Sequence, residues 1–164
     1  MENQEERKVL TMVDNILRYP SMKRFMETVE EEFAKFFNAE RANFLIVNRQ
    51  NKEMYRVIYD VDNKEFKMKL YGVEKGIAGT VVVSGQTCFV DGVEDDLRFC
   101  KEVDDPKGSH ADQMVAVPVY CTSDRLDTSI HSLSSIPRGV IQIINKRDQN
   151  GFQPKVFLLR LTHL

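Results

Sequence analysis

The chain has 164 residues, 42% of them hydrophobic and 29% charged, and a formal net charge of −2. That length suits one domain with a sizeable core, and the charge balance supplies no basic stripe for nucleic acid. No apolar run approaches the roughly 20 residues of a membrane span, and the Glu-rich start lacks the basic-then-apolar order of a secretory signal.

Leu10, Val13, Ile16 and Leu17 recur at helical spacing and predict an amphipathic helix over about 3 to 18. Tyr19-Pro20 breaks it, because proline disfavours helical geometry in the residue before it. A second helix opens at Pro20 or Ser21 and carries Phe25, Met26, Val29, Phe33, Phe36 and Phe37, an aromatic stripe suited to packing on a sheet. Ala42 to Asn48 reads as a buried strand. Met54 to Tyr59 alternates like a strand, and Phe66 to Leu70 is a third, with Met68 and Leu70 on one face. Turns this short make the three antiparallel neighbours.

Gly76-Ile77-Ala78-Gly79 then opens a short apolar helix that Gly85 stops. Backbone N–H groups at such a start are a ready site for an anion or a carbonyl; equally, Gly79 serves close packing and nothing more. Gln86 to Asp91 reads as a turn into a short extended run, followed by an acidic loop. Two strands, Met114–Tyr120 and Val140–Asn145, flank a Ser-, Thr- and Asp-rich loop at 121–138, and a last helix begins at Phe152 with Pro154 in its first turn. The order is helix, helix, three strands, helix, loop, two strands, helix, an α+β pattern. Cys88, Cys100 and Cys121 form no CxxC pair and are odd in number, so a reducing, cytoplasmic setting is expected. His110, His131 and His163 are too scattered for a metal site.

The series Gly76 to Gly79, Asp96-Leu97-Arg98-Phe99, Glu102-Val103-Asp104, Gly108, Val115 to Val119, Gly139 to Lys146 and Phe152 resembles a GAF domain. It is closest in pattern to those of cyclic-nucleotide phosphodiesterases and cyclases. The resemblance implies a single GAF domain over 1–164, with N-terminal helices at 1–38, sheet and pocket at 42–146 and the C-terminal helix at 152–164. It implies a central antiparallel β-sheet, N- and C-terminal helices on one face, and a short helix plus a long loop covering a pocket on the other. It also marks Ile77, Ala78, Phe99, Asp104, Ala111 and Gln142 as candidate ligand-binding residues for cGMP or cAMP, with no other cofactor. The backbone of Ile77 and Ala78 would meet the nucleotide phosphate, and Gln142 would meet the base.

Several family positions differ. Lys107 and Ala111 stand where ligand-binding members have threonines, and Phe89 and Gly92 where they have Asn and Asp. Each lost ligand hydrogen bond weakens binding by roughly 0.5–1.5 kcal/mol. Between Asp91 and Asp112 the loop carries eight acids against Arg98, Lys101 and Lys107, an excess that would repel a phosphate over a Debye length of about 8 Å. Asn145, Lys146 and Phe152 fit an Asn-Lys/Phe/Asp motif, but Val156 replaces its aspartate, leaving Lys146 without the expected partner.

One GAF branch reduces free methionine sulfoxide through cysteines. Here Ala78 occupies the place of its glycine-motif cysteine, so a catalytic role is not expected. Two readings remain: a regulatory module sensing a cyclic nucleotide weakly, and a scaffold or interaction module with a vestigial pocket. Either would act through a protein partner or a homodimer formed by the terminal helices, with Leu10, Val13 and Leu17 in the interface, or within a longer protein.

Overall fold

The computed structural model describes residues 4, 7, 8, 11, 21–60, 62–120, 136–148 and 151–155. The predicted interface residues Leu10, Val13 and Leu17, the loop at 121–135 and the body of the last helix lie outside them.

Helix α1 (Met22–Phe36) starts as the sequence predicts. Ser21 is its N-cap, and the Ser21 hydroxyl accepts from the Arg24 amide at 3.3 Å. The sheet is antiparallel and six-stranded: β1 (Ala39–Asn48), β2 (Glu53–Asp60), β3 (Glu65–Gly72), β4 (Cys88–Asp91), β5 (Gln113–Val119) and β6 (Gly139–Lys146), in the order β3-β2-β1-β6-β5-β4. The sequence order of elements counted five strands. The sixth is β4, whose four residues pair with β5 from Cys88–Ala116 to Asp91–Gln113. A run this short shows no usable alternation, so only the neighbour across the ladder makes it a strand.

Strand alternation separates two cores. On one face Phe44, Val115, Val117, Ile141 and Ile143 meet Phe25, Val29, Phe33 and Phe37 of the helical stripe. On the other, Leu45, Val47, Met54, Met114, Ala116, Val140 and Ile144 meet helix α2 (Gly76–Ser84) through Ile77, Ala78, Val81 and Val82. Gly85 stops α2 in the left-handed region at φ 66°, its N–H returning to the Val81 carbonyl at 2.8 Å. The acidic loop crosses this second face and holds a 3-10 turn at Val93–Asp95 and a one-turn helix α3 (Lys101–Asp104) that the sequence did not reveal.

The strands are not paired evenly. β1 pairs with β6 from Ala39 to Ile46, and β2 with β3 along all eight residues. Yet β1 and β2 pair only over Ile46–Asn48 and Glu53–Tyr55. Beyond that point the β2–β3 hairpin diverges from the rest of the sheet.

Gly79 explains how α2 sits so close. A Cβ there would lie 2.6 Å from the Glu74 carbonyl carbon and 2.7 Å from the Val73 oxygen, both backbone atoms with little freedom to give. Gly79→Ala is therefore expected to destabilise the domain by about 1–3 kcal/mol through overpacking, read as a lowered urea midpoint at unchanged slope.

Candidate functional site

Helix α2 begins with its amides facing a buried carboxylate. Its N-cap, Lys75, contributes no side-chain capping bond. Asp104, at the end of α3, caps the start from across the loop: its Oδ2 accepts from the Ile77 amide at 3.0 Å and its Oδ1 from the Ala78 amide at 3.2 Å. Oδ2 also accepts from the Cys100 amide at 2.9 Å, and Oδ1 from Gln142 Nε2 at 2.6 Å. Four donors converge on a side chain that is 0% exposed. Gly76, at φ 76°, admits the carboxylate: a Cβ there would stand 2.6 Å from Asp104 Oδ2, and the backbone conformation would be strained for any other residue.

A chain of buried polar groups continues from this cap. Asn43 of β1 faces Gln142 of β6 across the ladder. Its Nδ2 donates to Gln142 Oε1 at 3.2 Å and to the Asp104 carbonyl at 2.9 Å. Asn43 Oδ1 accepts from Arg56 Nη2 at 3.3 Å, and the same nitrogen donates to Glu30 Oε1 at 3.2 Å. Glu30 reaches this point from α1 because β1 and β2 have separated: the Phe44 amide donates to Glu30 Oε1 at 2.9 Å. Alternating charges, Glu30, Arg56 and Asp104, are thus held by amides in a low-dielectric interior, where partners decide whether burial is tolerable.

Burial pushes the Asp104 carboxyl above its ordinary value of 3.8, and the Cys100, Ile77 and Ala78 amides and the Gln142 side chain pull it partly back. Burial likewise raises Glu30, against the opposing charge of Arg56 and the Phe44 amide.

The six candidate residues come together on this face. Ile77, Ala78, Asp104, Ala111 and Gln142 are each 0% exposed, and half-buried Phe99 packs on the same apolar cluster. The groups assigned to a ligand, the Ile77 and Ala78 amides and the Gln142 amide, bind Asp104. The resemblance did not mark Asn43, Arg56 or Glu30. The available signal was local: Asn43 breaks the apolar strand 42–47, and Arg56 alternates in step with Met54 and Ile58.

Two charge expectations need correction. The acidic loop is not a uniform negative lid, because Asp104 and Asp105 point inward. Arg41 of β1, distant in sequence, holds Asp105 at 2.9 Å. Asp96 is bound by Arg98 at 2.6 Å, which lowers its carboxyl to about 2, and Glu94 meets His110 at 2.9 Å. Counting charges within one stretch misses a partner that the fold brings from outside it, as Arg41 is. Lys146 has found substitutes for the missing aspartate, bonding to the Phe37 carbonyl at 2.8 Å and Asp148 at 2.7 Å. Among the described residues, no group of three or more His, Cys, Asp or Glu side chains could hold a metal ion, and no helix is long and apolar enough to cross a membrane.

No protein-family model matches the sequence. The chain is similar to the probable 3',5'-cyclic phosphodiesterase pde-5 of Caenorhabditis elegans, 27% identical over 124 residues, a match covering 70% of this chain and 15% of that protein. Among solved structures it is similar to the GAF domain of an Acinetobacter phosphoenolpyruvate-protein phosphotransferase, with a TM-score of 0.65, 14% identity, and 98% of this chain and 89% of that one covered. The chain has the GAF fold. Its α2 and acidic loop cover one face of the sheet and α1 the other, as the GAF resemblance implies. A free methionine-R-sulfoxide reductase from Neisseria meningitidis, solved with its substrate, also shares this fold, with a TM-score of 0.61 at 12% identity over 99% of this chain and 87% of that one.

The cap makes a testable demand on Asp104. Asn in its place would turn a donor toward donors, so Asp104→Asn is expected to cost about 1–3 kcal/mol at neutral pH. Because the folded-state value is raised, the stability due to Asp104 falls as pH rises from its ordinary value toward the raised one, and is flat above. Urea unfolding from about pH 4 to about pH 8 should show the wild type's advantage over Asp104→Asn shrinking across that window and then holding constant.

Proposed function

We propose that this GAF domain is a non-catalytic regulatory or assembly module whose ligand site is closed by its own carboxylate, and that it binds cGMP or cAMP weakly. The observation that carries this reading is the Asp104 carboxylate on the Ile77 and Ala78 amides. A helix start favours an anion, and here an anion of the chain itself is already seated. A cyclic nucleotide phosphate must displace Asp104, strip Gln142 of a 2.6 Å bond and return a buried carboxylate to water or to another partner. The similarity to a phosphodiesterase supports a signalling context, and the GAF fold supports a regulatory module. The protein partner, or a homodimer through the terminal helices, belongs to this proposal.

An enzymatic reading has less support. Cys88 and Cys100 are free and half-buried, and Ala78, at the helix start, carries no thiol. Purified protein is expected to show no thiol-dependent turnover of free methionine sulfoxide; turnover abolished by Cys88→Ser or Cys100→Ser would overturn the non-catalytic assignment.

Isothermal calorimetry with cGMP and cAMP tests the closed site. Wild type should bind with a Kd no tighter than about 100 μM, and Asp104→Ala, which frees the amides, should bind at least about tenfold tighter. Sub-micromolar binding by the wild type would show that Asp104 moves aside at little cost and would remove the basis of the closed-site reading.

A further inference from the structure

Where β2 leaves β1, the structure opens a cavity that is separate from the capped helix start. Its volume is about 330 Å³, within the lower range of small-molecule sites, and its lining includes Lys23, Glu27, Glu30, Arg56, Lys69 and Lys107. We propose that this wedge is a binding site for a small phosphate-bearing anion, with Arg56 as its buried anchor and Lys69 and Lys107 as the cations nearer solvent.

Three observations converge on an anion. Four cations and two carboxylates line the cavity, an excess of positive charge in a chain whose net charge is −2. The two carboxylates are already engaged: Glu30 accepts from the Phe44 amide and Arg56, and Glu27 stands 3.9 Å from Arg24. Arg56 supplies the most specific sign. It is 2% exposed, and its Nη2 is committed to Glu30 and Asn43, while Nε and Nη1 are fully buried and have no hydrogen-bond partner. A buried guanidinium with two unused N–H groups is costly, and turning the side chain toward the cavity would satisfy them, because its fixed fork suits the oxygens of a phosphate. Lysines at the rim add charge without fixing geometry, as they do around many phosphates. Because this cavity uses neither α2 nor the Asp104 cap, its occupancy stands apart from cyclic nucleotide binding at the helix start.

The test is thermal unfolding with inorganic phosphate and with pyrophosphate, each compared with sodium chloride at equal ionic strength. Phosphate also stabilises proteins in general by exclusion from their surface, so the decisive comparison is between variants. Lys69→Ala/Lys107→Ala removes two exposed side chains and should fold normally. Wild type and Asp104→Ala should both gain about 2–5 °C from pyrophosphate beyond the chloride control, and the double lysine variant should lose that gain. Arg56→Lys, which keeps the charge without the fork, should lose most of it as well. An equal gain in wild type and the double lysine variant, or none in wild type, would overturn the proposal. So would a gain that vanishes in Asp104→Ala alone, because that pattern places the anion at the start of α2.

Discussion

Everything on the second face of the sheet depends on one requirement: a buried carboxylate must be surrounded by donors. Asp104 meets it with the amides of Ile77, Ala78 and Cys100 and the side chain of Gln142. These donors come from three parts of the chain. α2 is thereby fixed to α3, and both are fixed to β6. The acidic loop is held down by this bond pattern as well as by the apolar packing of Val93, Val103 and Phe99. Gly76 is needed because any side chain at that position would collide with the carboxylate.

The same requirement shapes the sheet. Glu30 enters the opening between β1 and β2, replaces the missing strand partner of the Phe44 amide, and brings a counter-charge to Arg56. Breaking one member of such an arrangement leaves a buried charge alone, commonly at a cost of about 3–5 kcal/mol, although the intact set need not be worth that much in stability. Its clearer effect is geometric. Glu30, Arg56, Asn43, Gln142 and Asp104 form one bonded path from the helix on one face to the helix start on the other.

For function, the fold supplies a frame and the side chains decide its use. The same fold is found in the GAF domain of a phosphoenolpyruvate-protein phosphotransferase and in a methionine-R-sulfoxide reductase, so architecture leaves the activity open. In this chain the helix-start amides bind a carboxylate of the chain itself. Any ligand at these amides must first compete with a tethered group at high effective concentration.

Much of this was legible in the residues. The Phe25–Phe37 stripe, Ser21 as a cap, the strands β2 and β3, the glycine-opened helix and Gly85 as its stop all express local rules of period and backbone freedom, and each was in place in the structure, although Met68 and Leu70 of β3 are exposed. Ile77, Ala78, Phe99, Asp104, Ala111 and Gln142 were singled out through family resemblance, and they do share one face. What the residues alone left open was who bonds to whom. Asp104 and Ile77 are 27 positions apart, Arg41 and Asp105 64, and Asn43 and Gln142 99. No local pattern encodes such partners. Local sequence determined where the chain turns helical, extended or sharp, because those choices depend on neighbours within a few residues. Only the tertiary structure decided that an apparent ligand site would be filled from within, because hydrogen bonds and charges are satisfied by whatever group the fold brings within about 3 Å.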